Sequence, residues 1–253
     1  MERREMDRAR FEQACRQVMK GQRELCGIGT LGEKTLHAAI KQYLQPDPAL
    51  REVKIGRHVA DILEGDRITE VQTRGFFALQ PRLDAFLPHY QVEVVYPVAR
   101  RKWLRWIDAQ GEVSEPRRSP KLGQPMDICY ELCRLPRAVG REGLSFRILL
   151  IDMEEYRLLD GWGRDGKRGS SCYERIPLSL EGEFLLRGRE DLLRLLPDGL
   201  PEAFTVHDLQ KSCKRSENFA RKMKDVLEKG GAIQRCGKQG RKLLYCANIT
   251  EST

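Results

Sequence analysis

Apolar residues recur at helical spacing through Leu36, Ala39, Ile40, Tyr43 and Leu44, which predicts a helix with one buried face. Upstream, Thr30 and Glu33 stand at the spacing of a capping box, and the prolines of QPDPAL close the helix. Three short segments of strand character follow: REVKI, then HVADIL, then RITEVQT. Glu64-Gly65-Asp66 makes a tight turn between the last two. GFFALQPRLDAFL returns to helical spacing with Pro81 near its start, and VEVVYPV is a compact β-branched strand suited to a covered sheet. The order of helix, three strands, helix and strand predicts an α/β fold in which a helical crossover feeds the last strand.

The flanks read differently. Residues 1–24 alternate acids and bases with sparse apolar positions and predict a charged N-terminal helix without assigned chemistry. Beyond Ala99, RRKWLRWIDAQGEVSEPRRSPKLGQPMD predicts a hairpin running into a basic, proline-marked loop. SFRILLIDMEEYRLL predicts a further strand with a turn, and GWGRDGKRGSSCYERIP a glycine-rich basic loop. The expected division is a charged helix over 1–24, an α/β domain with a β-containing extension over 25–196, and a separate unit over 201–253. At 253 residues the chain has room for two cores.

Hydrophobic residues are 40% and charged residues 32% of the chain, an ordinary soluble balance that argues against disorder. No apolar run approaches the roughly 20 residues of a membrane span, so the expected location is the cytoplasm. The eight cysteines then read as reduced thiols, and Cys129 and Cys133 support a zinc site only weakly. The net charge of +8 is concentrated: eleven Lys and Arg stand against four acids between Thr205 and Cys246. Such clustering on a short unit is the footprint of a polyanion binder.

The candidate chemistry lies in the strand meander. Across a short antiparallel turn, Asp61 and Glu70 point to one sheet face, and Gln72 shares it because side chains repeat every second residue. Carboxylate oxygens suit a hard divalent ion such as Mg2+ or Mn2+, which activates water and neutralises charge on a phosphate. These residues resemble the PD-(D/E)XK, or restriction-endonuclease-like, nucleases, especially E-x-Q branches such as the competence CoiA-like members, over about residues 27–98. The resemblance implies a magnesium-dependent endonuclease acting on DNA. By it, Asp61 and Glu70 are the metal-binding acids, Val71 lends a backbone carbonyl, Glu33 is the acid of the first core helix, and Gln72 stands in lysine's place. A neutral amide cannot supply lysine's charge, so the metal carries more of the stabilisation or catalysis is lost. The alternative, with Asp61 and Glu70 as solvent-facing strand acids and Glu33 only as the partner of Thr30, stays open.

The segment FTVHDLQKSCKRSENFARKMKDVLEKGGAIQRCGKQGRKLLYC resembles a winged-helix domain. His207 to Cys213 predicts one helix. Ser216 caps a second that runs to Lys229 over Phe219, Met223, Val226 and Leu227, and Gly230-Gly231 stops it. The following hairpin has its tip at Gly237 to Gly240, flanked by Arg235, Lys238, Arg241 and Lys242. Lys214, Arg215, Asn218, Arg221, Lys222 and Lys224 are the expected solvent-facing residues of the recognition helix, and the local charge favours phosphate contacts over protein contacts.

No GxxxxGK[ST] phosphate loop, no GxSxG, and no histidine beside a nucleophile is present, so a nucleotide cofactor and a hydrolase triad are not expected. The tryptophans read as core residues before base-stacking ones. The expected partner is DNA, with no membrane, and self-association is left open. A DNA nuclease is the leading expectation. A non-catalytic winged-helix DNA-binding regulator that keeps a nuclease-like fold and a protein-assembly module are the alternatives.

Overall fold

The computed structural model of the chain describes residues 7–25, 35–135, 137–162 and 168–248. The meander forms as its alternation requires: β1 (Arg51–Ile55), β2 (His58–Glu64) and β3 (Arg67–Val71) are consecutive antiparallel neighbours. A short crossover, the 3-10 turn Phe76–Leu79 and α3 (Gln80–Phe86), carries the chain to β4 (Gln91–Ile107), which lies parallel to β3. Pro81 sits in the first turn of α3, where its missing N–H has no helical partner to lose. After β5 (Arg117–Arg118) and α4 (Cys129–Leu132), β6 (Leu144–Trp162) pairs parallel with β4 and β7 (Arg168–Leu186) antiparallel with β6. The strands make one mixed sheet in the order β1-β2-β3-β4-β6-β7, with β5 on the free edge of β4.

Two expectations change here. The strand begun by VEVVYPV does not stop at Ala99 but continues to Ile107. The basic run RRKWLR, expected as the first arm of a new hairpin, is the continuation of this strand, and Asp152, Glu154 and Glu155 on β6 supply its cross-strand counterions: Arg101–Asp152 at 2.5 Å, Lys102–Glu155 at 3.0 Å and Arg105–Glu154 at 3.1 Å. Likewise, the glycine-rich stretch expected as a loop is strand from Arg168 onward. Ser170 and Ser171 are held there by Arg157 and Asp160 of β6, and residues 163–167 lie outside the described residues.

Both faces of the sheet are covered. α1 (Arg8–Leu25) and α2 (Thr35–Leu44) cover one, burying Phe11, Ala14, Cys15, Leu36 and Ile40 against Ile62, Val71, Val95 and Ile151. The charged N-terminal helix is thus docked. Phe11 and Tyr43 meet edge to face at 5.3 Å, and the Tyr43 hydroxyl donates to Glu183 on β7. The other face packs on α3, α4 and the C-terminal unit in one continuous cluster.

After α5 (Arg189–Leu193), that unit comprises β8 (Ala203–Phe204), α6 (Val206–Cys213), α7 (Glu217–Lys229), β9 (Ile233–Gln239) and β10 (Lys242–Ala247), with the strands ordered β8-β10-β9. Thr205 and Asp208 cap α6 reciprocally, and the Ser216 hydroxyl caps α7 through Phe219 N. Gly231 takes φ 69°, while Gly230 is required for space: a Cβ there would lie 2.3 Å from Leu192 Cδ1 and 2.9 Å from Val139 Cγ1. The hairpin turns at Gly240-Arg241, later than the expected tip, because Gly237 and Lys238 still pair with Leu244 and Leu243. Tyr130 and Phe219 rings meet at 4.7 Å across the join, and Arg215 holds Asp127 through two bonds of 3.1 Å and 3.1 Å. Among the described residues no helix is long and apolar enough to cross a membrane.

Candidate active site at the fork of the sheet

The β2–β3 ladder runs to Ile62↔Thr69. Its next step would join Asp61 to Glu70 through backbone, and side chains replace it. Asp61 Oδ2 accepts from Val71 N at 2.8 Å, and Glu70 Oε1 accepts from Asp61 N at 3.4 Å. The end of β3 leaves β2 at this fork and stays with β4, where Gln72 N donates to Val95 O at 2.9 Å. Two acids directly opposite each other therefore share a face, as the alternation requires.

Glu70 is fully buried. Desolvation, and then the adjacent Asp61 carboxylate, push its carboxyl up to about 7 against the opposing pull of Arg82. Arg82, from α3, brings Nη1 to 2.5 Å from Glu70 Oε2, in an orientation that makes no hydrogen bond to that oxygen. Its Nη2 donates to Gln72 Oε1 at 3.3 Å. The Gln72 amide in turn donates to Arg74 O at 2.6 Å and Gly75 O at 3.4 Å. On the far side, His37 of α2 donates from Nε2 to Val71 O at 2.9 Å and stands 3.4 Å from Asp61 Oδ2. The Asp61 carboxylate and the Val71 carbonyl thus converge on one ring nitrogen.

The structure brings Asp61, Glu70, Val71 and Gln72 together; Glu33 lies outside the described residues. Arg82 and His37 are members that sequence reasoning missed. The available signal was a cation one turn into the crossover helix and a polar ring within the apolar face of α2. Among the described residues no three His, Cys, Asp or Glu side chains are arranged to hold a metal ion, so a cation at the fork would need the Val71 carbonyl beside the two carboxylates. That donor set is all oxygen and fits a hard divalent ion, and Glu70 Oε2 is a buried oxygen with no hydrogen bond.

Beside the fork opens a cavity of about 1390 Å³ between the sheet, the 119–124 loop, α4 and the turn between α6 and α7. Lys102 and Arg175 form its floor around the buried Glu155, and Arg74, Lys121 and Lys214 stand on its rim. These three rim cations are exposed and make no ion pair among the described residues.

The expected DNA-contacting residues divide. Arg215 is committed to Asp127 and Leu122 O, Arg221 pairs with Glu217, and Arg235 with Glu228. Lys222 lies over the Tyr130 ring at 5.6 Å, and Lys224 pairs with Asp225 and Glu228. Lys214, Asn218, Lys238, Arg241 and Lys242 are exposed, and among the described residues none of the four cations has an ion pair.

Residues 34–187 match a family described as Domain of unknown function (DUF8091). An uncharacterized protein of Treponema pallidum (strain Nichols) is 32% identical over 224 residues, covering 86% of this chain and 86% of its own length. No solved structure matches.

Proposed function

The chain belongs to the DUF8091 family, whose matched segment holds the described fork residues, and we propose that this segment is the core of a divalent-metal-dependent DNA nuclease. The observation that carries the reading is the pairing of the Asp61 and Glu70 carboxylates where β3 leaves β2, with the Asp61 carboxylate and the Val71 carbonyl converging on His37 Nε2. The order of helix, meander, crossover helix and parallel strand is the one a restriction-endonuclease-like core implies. The C-terminal helix pair and basic hairpin suit a winged helix that adds DNA affinity.

Asp61, Glu70 and Val71 O would hold the ion, whose contribution when bound is to lower the pKa of a water and offset charge on the scissile phosphate. The chain's own residues do the rest. Burial and the Asp61 carboxylate push metal-free Glu70 up to about 7, and a bound divalent ion would favour its ionised, ligating form. Arg82 supplies at the fork the positive charge that Gln72 lacks, and Gln72 holds the Arg74-Gly75 turn in place. His37 fixes the Val71 carbonyl.

One observation favours the non-catalytic regulator: Asp61 and Glu70 already have protein partners in Val71 N and Arg82. Cleavage separates the readings. Linear, nicked and branched DNA is incubated with Mg2+ or Mn2+ and wild type, Asp61→Asn or Glu70→Gln at matched DNA binding. The nuclease reading expects cutting by wild type and a loss of at least 100-fold in both variants. Wild type that cuts nothing on this panel leaves the regulator in its place.

A further inference from the structure

Phe77 is 77% exposed, beside Phe76 at 0%. Its position is set, not loose. Gly75 N and Phe76 N both donate to Glu131 Oε2 at 3.0 Å, Ala78 N donates to Gly75 O at 3.1 Å, and the Gln72 amide holds the carbonyls of Arg74 and Gly75. The fork therefore holds rigidly a turn that keeps one aromatic ring in solvent. A single exposed apolar side chain is ordinary on a protein surface. Its neighbours give this one meaning. Arg74, three residues before it, stands on the cavity rim without an ion pair among the described residues, and Lys121 and Lys214 stand on the rim likewise. The wall that carries Lys214 is locked by Arg215 on Asp127 and Leu122 O. At about 1390 Å³ the cavity exceeds the roughly 300–1,000 Å³ of small-molecule pockets, which points to a polymer.

We infer that this cleft binds single-stranded DNA, with Arg74, Lys121 and Lys214 on successive phosphates and the Phe77 ring stacked on a base at the mouth of the fork. Spaced cations that follow a backbone, together with an open ring, are the two elements of single-strand recognition. A duplex keeps the faces of its bases stacked on one another and offers none to the ring. The inference rests on the nuclease reading for what happens at the fork, but binding itself needs no metal.

The test is therefore made in EDTA with the full chain, by fluorescence anisotropy of a labelled 20-nucleotide thymidine strand and a blunt duplex of equal length. Phe77→Ala is expected to weaken single-strand binding roughly 10-fold and leave duplex binding unchanged, with Phe77→Trp restoring it. The triple Arg74→Ala, Lys121→Ala, Lys214→Ala variant is expected to lower the single-strand salt slope by about 2, at about 0.7 per phosphate. All these side chains are exposed, so melting temperatures should match wild type. Phe77→Ala that binds the single strand as wild type does, or weakens both ligands equally, overturns the inference. Binding as expected without cleavage in Mg2+ would sink the nuclease reading alone. Cleavage with an indifferent Phe77 would sink this inference alone.

Discussion

Two buried glutamates on one sheet meet opposite electrostatic fates. Glu70 faces one acid and one arginine, and burial with Asp61 pushes it up to about 7. Burial raises Glu155 as well, but Lys102, Arg175 and Arg157 surround it at 3.0, 3.4 and 2.6 Å and hold it below the usual carboxylate range. Equal burial thus gives a satisfied charge in one place and an unsatisfied one in the other, and the difference is the number of cations. Strongly perturbed groups mark functional sites more often than satisfied ones do, which directs attention to the fork.

The comparison can be broken at either end. Removing the satisfied charge should cost the most stability: Glu155→Gln leaves three cations facing one another and should destabilise the fold by roughly 3 kcal/mol. That figure sits at the low end of the range for buried pairs because the cations reach solvent, and urea unfolding at pH 7 measures it. A loss below about 1 kcal/mol would mean that water already screens the cluster.

Glu70→Gln should act in the reverse direction. A carboxyl at about 7 in the fold and 4.5 in the unfolded chain favours folding fully below 4.5 and loses that contribution as pH rises through 7. The variant is therefore expected to be more stable than wild type by about 3 kcal/mol at pH 8, with the gain nearly gone near pH 4.5. A gain independent of pH would show that proton binding at Glu70 is not its source.

A divalent ion should narrow the contrast by adding a second cation beside Glu70, which has Arg82 alone. At ten times its dissociation constant, Mg2+ should raise wild-type stability by about 1.4 kcal/mol, and Asp61→Asn and Glu70→Gln by less. Thermal melts across a Mg2+ titration decide this, with equal shifts in all three proteins placing the ion elsewhere. The smallest stability effect belongs to the exposed hairpin cations. Changing Lys238, Arg241 and Lys242 to alanine should leave stability within about 0.5 kcal/mol. It should also lower the log–log salt slope of duplex binding by about 2.7, at 0.9 per phosphate, and an unchanged slope removes the hairpin from the DNA interface.

The meander, its crossover and the C-terminal capping were legible because each depends on short-range chemistry: alternation in RITEV, Pro81 at a helix start, Ser216 three residues before Phe219. Asp61 and Glu70 could be placed on one face for the same reason. What escaped depends on distant partners. RRKWLR reads as a separate hairpin arm, but its continuity with β4 is matched by acids some fifty residues later that lie beside it. Arg82 matters through its approach to Glu70 from another element, and Arg215 carries the expected charge yet is committed to Asp127, 88 residues away. Residue type announced each of these side chains, and tertiary pairing decided its availability.

The join between body and C-terminal unit has a mechanical consequence. With Phe219 against Tyr130, Arg215 forked onto Asp127, and Gly230 admitting Leu192 and Val139, the tip at Gly240 cannot swing freely relative to the fork at Asp61. The molecule is a caliper with its jaws set. If the proposed DNA contact at the tip holds, a polymer gripped there would meet the fork at one fixed distance along its length, and any mark left there would fall at a constant interval from the point of grip.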